Sequence, residues 1–171
     1  MKKILLRAAA LLLALVLAGC GTASPAETVP TEADKTDDNY RVFYEIFVGS
    51  FADSDGDGTG DLNGILRHLD YLNDGNLLSD TSLGVQGLWL TPIFASPSYH
   101  KYDATDYYRI DSDFGTEDDL RALLDACHAR NVKVILDLVI NHTARNHEWF
   151  QSFRQSHADA NPDDPYYDYY S

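Results

Sequence analysis

Four aspartates, Asp53, Asp55, Asp57 and Asp61, fall inside the stretch DSDGDGTGD, residues 53–61. The first three alternate, Gly58 permits a sharp turn, and Thr59 can offer its backbone carbonyl before Asp61 closes the run. Alternating carboxylates with a carbonyl make an oxygen-only donor set, which suits Ca2+, with Mg2+ as a competitor. The ladder resembles positions one to nine of an EF-hand, but position twelve, where a bidentate Glu belongs, is Gly64. A strand-like segment also leads in where an EF-hand has a helix. The loop is therefore expected to bind calcium without being an EF-hand. The alternative is a solvated acidic turn, which leaves the mutual repulsion of four close carboxylates to solvent.

Two further polar clusters could do chemistry. SPSYHKYDATDYY, residues 96–108, contains Tyr102 and Asp103, and the apolar run VKVILDLVI ends in Asn141 and His142. Asp137 lies within that apolar run, where an unpaired carboxylate is costly to bury, so it calls for a polar or metal partner. A zinc site in HTARNHE is excluded, because His147-Glu148-x-x-Gln151 lacks the second histidine of H-E-x-x-H.

Three segments are expected as strands to hold these clusters: RVFYEIFV (41–48), VQGLWL (85–90) and VKVILDLVI (132–140). The third is nearly continuous in aliphatic residues, as a parallel strand buried on both faces would be. Between them, Leu62, Ile65, Leu66, Leu69 and Leu72 follow helical spacing behind a capping Asp61. Leu120, Leu123, Leu124 and Cys127 do the same behind Thr116-x-x-Asp119, a capping-box pattern. The order β-α-β-α-β implies a parallel sheet with right-handed crossovers. Each polar cluster then sits just past the C-terminal end of a strand, where open sheets and (β/α)8 barrels both assemble sites. A dinucleotide-binding sheet is disfavoured: Gly58-x-Gly60 is followed by Asn63 instead of a third glycine, and the carboxylates would repel phosphate.

The N-terminus reads as a targeting segment. MKKILLRAAALLLALVLAGC has a basic start, an apolar run from Ala8 to Ala18 too short for a stop-transfer helix, and Leu17-Ala18-Gly19-Cys20. That ending resembles a bacterial lipobox, with Cys20 as the lipidated residue; an ordinary signal peptide is the alternative. Residues 1–19 are thus expected as a lipoprotein signal peptide and 20–39, rich in Ser, Thr, Pro, Ala and acids, as a disordered tether. The formal charge of −14 becomes −17 once the three basic residues of the leader are removed. Such an acidic chain is unsuited to nucleic acid, and membrane contact is expected through the lipid alone. Cys127 is the only other cysteine, so no disulfide framework exists. At the other end, PYYDYYS packs four tyrosines against the terminus without a closing element, and the chain is expected to be truncated.

Taken in order, YEIFVGSFADSDGDGTGDLNGI, GLWLTPIFASPSYHKYDATDYY and DLVINH resemble three successive landmarks of the α-amylase family of glycoside hydrolases. The tail NHEWFQSF to PDDPYYDYY is similar to the start of that family's domain B. The resemblance implies an α/β fold: residues 40–142 as the N-terminal portion, about three βα units, of a (β/α)8 TIM barrel, with 143–171 opening a domain B-like excursion. It implies that Asp53, Asp55, Asp57, Asp61 and the Thr59 carbonyl hold a structural calcium. Tyr102 would stack on the sugar beside the scissile bond, Asp103 would accept from its hydroxyls, and His142 would donate to the same sugar. Asp137 and Asn141 would support that strand end. A neutral polyol needs such a planar face and such acceptors.

Retaining hydrolysis needs two carboxyl groups roughly 5–5.5 Å apart. In the family these stand on the fourth and fifth strands, so the nucleophile and acid/base are expected beyond Ser171. The expected protein is an extracytoplasmic, lipid-anchored hydrolase of α-glucans such as starch or maltooligosaccharides, with residues 20–171 alone inactive. An exo-glucosidase, a cyclodextrin-degrading enzyme or a transglycosylase would share the same opening strands. A non-catalytic glycan-binding surface lipoprotein is the alternative of another class.

Overall fold

A computed structural model describes residues 41–171. The expected leader, tether and Cys20 lie outside the described residues. In chain order these are β1 (Phe43–Ile46), α1 (Val48–Phe51), α2 (Leu62–Arg67), α3 (Leu69–Leu72), β2 (Gly87–Leu90), β3 (Phe94–Ala95), β4 (Asp106–Ile110), α4 (Glu117–Ala129), β5 (Lys133–Leu136) and α5 (Glu148–Ala158). None of these helices is long and apolar enough to cross a membrane.

β1, β2 and β5 form a parallel sheet with β2 in the middle, and the register aligns Ile46 with Leu90 and Leu90 with Leu136. Side chains alternate along a strand, so Ile46, Leu88 and Leu90 share the helix-covered face and pack with Ile65, Leu69, Leu72, Leu123 and Cys127. The opposite face carries Glu45, Trp89 and Ile135, also in register. Trp89 and Ile135 are 41% and 45% exposed. The third strand is therefore not buried on both faces as its apolar run implies. Only the helix side is covered, and the open side is the one a closed barrel turns inward.

The strands are shorter than their apolar runs. Val48 already begins a helical turn, which ends β1 at Ile46. Past Leu136 the ladder makes one more bond, Asp137 N–H to Leu90 O at 2.9 Å. The Val139 carbonyl then accepts the Tyr107 hydroxyl at 2.6 Å instead of a strand neighbour. The first helical pattern is also interrupted. Leu62, Ile65, Leu69 and Leu72 are all buried as their spacing requires, but the helix tightens at His68, whose N–H is shared between the Gly64 and Ile65 carbonyls. The second is one continuous helix with a complete capping box between Thr116 and Asp119, and three acidic residues in its first turn suit the positive end of the helix dipole.

Burial pushes the Cys127 thiol up to about 11. A raised thiol pKa favours the protonated native form, so the unfolded chain ionises first. The stability contributed is complete below about 9 and is lost as pH rises toward about 11. The native protein is expected to resist a thiol reagent at pH 8 and to react once unfolded. Urea midpoints should fall across that alkaline window and fall less in Cys127→Ala.

Four elements were not foreseen from the sequence: α1, α5, β3 and β4. β3 and β4 pair antiparallel and form a hairpin whose long loop, residues 96–105, projects from the end of β2. A two-residue strand leaves no periodicity to detect. This hairpin positions the second polar cluster.

Candidate functional site

The acidic loop leaves α1 and closes on α2. Asp53 folds it around itself: Oδ1 accepts from the N–H groups of Asp55 at 3.1 Å and Gly56 at 2.6 Å, and Oδ2 accepts from Gly58 at 2.8 Å. These backbone bonds, Gly56 foremost, hold the Asp53 carboxyl below the usual carboxylate range. Gly56 and Gly58 adopt φ of +89° and +93°, the left-handed turns that such wrapping requires. Asp61 caps α2, accepting from Gly64 N–H at 2.7 Å, and reaches back to Ser54 N–H at 2.8 Å.

This folding brings one carboxylate oxygen each of Asp53, Asp55 and Asp61 within 4.8 Å of one another. Ligands on opposite sides of a Ca2+ ion, each at about 2.3–2.6 Å, stand at most about 5 Å apart, so the three oxygens fit around one such ion. Asp57 lies outside the triplet, and its Oδ1 accepts from Thr59 N–H at 2.7 Å.

The hairpin loop brings Tyr102 to the end of β5. Its hydroxyl donates to Asp137 Oδ2 at 3.0 Å, which supplies the partner that a carboxylate in an apolar run needs. Burial and then the Asp137 carboxylate raise the Tyr102 pKa, so the hydroxyl keeps its proton for that bond. The adjacent Asp103 is held by the hydroxyls of Ser96, at 2.7 Å, and Ser98, both on Oδ1. Burial works against its charge, but those two serine bonds outweigh it and keep its pKa below the ordinary value. Asp103 is thus an oriented, ionised acceptor beside an exposed aromatic ring.

Asn141 and His142 follow the end of β5, both exposed. Their side chains approach at 3.5 Å, and the His142 carbonyl accepts the Tyr107 hydroxyl at 3.1 Å. They line an open pocket of about 310 Å³ with Tyr107, Trp149, Tyr169 and Tyr170. Tyr102 and Asp137 form a separate group that does not line it. Tyr107, at the end of YDATDY (102–107), fastens the post-strand segment through the Val139 and His142 carbonyls, a role its place among eleven tyrosines does not signal. Sequence reasoning also overlooked Ser96 and Ser98; short hydroxyl residues in a loop give no signal until the fold turns them toward Asp103.

Residues 45–171 match the model of the alpha amylase catalytic domain. The chain belongs to that family. Among its relatives, alpha-amylase 3 of Dictyoglomus thermophilum is 50% identical over 129 residues, covering 75% of this chain and 23% of its own length. The oligo-1,6-glucosidase of Heyndrickxia coagulans is 44% identical over 130 residues, 75% of this chain and 21% of its own. The crystal structure of alpha-amylase from H. orenii superposes with a TM-score of 0.70 at 55% identity, covering 76% of this chain and 26% of that one. This alpha-amylase family chain therefore spans about a quarter of the length of the relatives it matches. Its three-stranded parallel sheet is the N-terminal portion of their (β/α)8 barrel.

Proposed function

We propose that these residues supply the sugar-facing opening of a retaining α-glucan hydrolase that works outside the cell on a lipid anchor at Cys20. The observation that carries the proposal is the Tyr102–Asp137 bond, which ties the long loop after β2 to the end of β5 and holds an aromatic ring beside the ionised Asp103. Tyr102 offers a sugar its face, Asp103 accepts from its hydroxyls, and His142 donates to a sugar oxygen in a hydrogen bond that strengthens in the transition state. Asn141 and Asp137 steady that edge. The nucleophile and the acid/base come from residues beyond Ser171.

Asp53, Asp55 and Asp61 would hold calcium, with Asp57 and the Thr59 carbonyl as the further donors that the family resemblance implies. The ion would stiffen the turn between α1 and α2 and offset the repulsion of its carboxylates. Calcium added to the chelated protein is expected to raise Tm, and Asp55→Ala is expected to remove that increment. A melting temperature indifferent to calcium in the unmutated protein would count against the site.

For the activity, the reading frame containing these residues should be expressed through its stop codon and offered maltooligosaccharides. Hydrolysis with retention at the anomeric carbon, followed by proton NMR, is expected. Release of single glucose units would favour an exo-acting enzyme over internal cleavage. Longer products would mean transglycosylation. Glycan binding without turnover would leave the non-catalytic surface lipoprotein.

A further inference from the structure

Lys101 immediately precedes Tyr102 and Asp103 and is 4% exposed. Its φ is +62°, a left-handed conformation that residues with a Cβ seldom enter and that glycine adopts freely. If the backbone alone decided this position, glycine would serve better. A long cation stands there instead, and its surroundings give the reason. Nζ lies 3.0 Å from Asp111 Oδ2, 3.0 Å from Asp113 Oδ2 and 5.3 Å from the centroid of the buried Phe114 ring. Burial opposes the charge, but Asp113 and Asp111 more than offset it and hold the pKa above the ordinary lysine value.

The clamp reaches the sugar-facing residues by a second route. Asp111 Oδ2 also accepts from Ser96 N–H at 2.9 Å, and Ser96 Oγ donates to Asp103 Oδ1 at 2.7 Å. Lys101, Asp111, Ser96 and Asp103 thus form one chain of contacts across the base of the loop. Phe114, under the ammonium, accepts Leu62 N–H at its carbonyl at 3.0 Å, next to the Asp61 cap. The anchor therefore sits between the loop that carries Tyr102 and the helix that closes the acidic turn.

We propose that Lys101 is a positioning residue: its buried ammonium, clamped by Asp111 and Asp113, holds the 96–103 loop in the conformation that presents Tyr102 and Asp103 to a sugar. This deepens the hydrolase assignment and rests on it. Its test uses the full-length protein with Lys101→Gly, which relaxes the backbone while removing the clamp. Asp113→Asn is the milder partner, because that carboxylate is 56% exposed and its change leaves no buried void. Two readouts are taken: KM and kcat on a maltooligosaccharide, and hydrogen exchange of peptides spanning 96–103.

Lys101→Gly is expected to raise KM roughly tenfold or more, with a smaller change in kcat, since the stacking and hydrogen bonds of Tyr102 and Asp103 hold the sugar in ground and transition states alike. Exchange should quicken in 96–103 while the sheet peptides keep their protection. Asp113→Asn should move both readouts in the same direction by less. A fall in Tm with KM unchanged and exchange accelerated everywhere would mark Lys101 as a general stabiliser and overturn the proposal. Should Lys101→Gly fail to fold, Asp113→Asn decides, and no change in its KM or loop exchange overturns the proposal. If the unmutated protein hydrolyses no α-glucan, the hydrolase assignment fails by itself. Loop exchange then still judges the clamp, and retained protection in Lys101→Gly sinks it.

Discussion

Gly64→Ala is expected to destabilise the fold by about 3 kcal/mol or more. A Cβ at this position would lie 1.9 Å from the Ala52 carbonyl oxygen and 2.6 Å from its carbon, both backbone atoms that no rotamer change can move aside. Nor is the Ala52 carbonyl free to retreat, since it accepts Asp61 N–H at 3.0 Å and so closes the acidic loop onto α2. Helix propensity favours Ala over Gly by about 1 kcal/mol, so the steric clash decides the sign. Ala at Gly56 or Gly58 meets open space and should cost only the strain of its left-handed backbone, about 1–2 kcal/mol. Urea midpoints of the three variants separate the two mechanisms, and a midpoint unchanged in Gly64→Ala would mean the loop does not close as described. The same contact explains why the twelfth position of the acidic ladder holds no glutamate: that position packs backbone against backbone.

The second large effect is on turnover. In the full-length enzyme proposed above, His142→Ala should lower kcat by about 10²–10³-fold, the scale of losing a sugar hydrogen bond that strengthens in the transition state. Its stability should stay within about 0.5 kcal/mol of the parent, because the ring is exposed and the segment is held at its carbonyl by Tyr107, not by the imidazole. Tyr107→Phe offers the complementary case. It keeps His142 but loses the bonds to Val139 O and His142 O, so it should lower kcat and Tm together. Steady-state kinetics beside a thermal melt distinguishes them. A His142→Ala enzyme with full kcat would place the imidazole away from the reacting sugar.

Much of the framework is written locally. Asp61 and Thr116 cap helices because a short oxygen side chain before an apolar period has few better uses, and both bonds are present. Leu62, Ile65, Leu69 and Leu72 declare one buried face by spacing alone. The parallel order of β1, β2 and β5 follows from the helical segments between them, since a parallel neighbour cannot be reached through a tight turn. The alternation of Asp53, Asp55 and Asp57 marks an acidic turn ahead of α2.

What the sequence alone determined was thus the local chemistry: the three parallel strands and the two helical patterns between them, which residues cap those helices, and which carboxylates, tyrosine and histidine stand past strand ends. Only the tertiary structure decided the pairings. It placed Asp53 and Asp55 with Asp61 while leaving Asp57 to Thr59, gave Asp137 to Tyr102 across 35 positions, and buried Lys101 between Asp111 and Asp113. The physical reason is range. A cap, a turn or an amphipathic period is settled by atoms a few residues apart, so spacing records it. An ion pair or a hydroxyl–carboxylate bond between distant segments depends on how a hairpin leaves a sheet, and that direction is set by packing summed over the whole core.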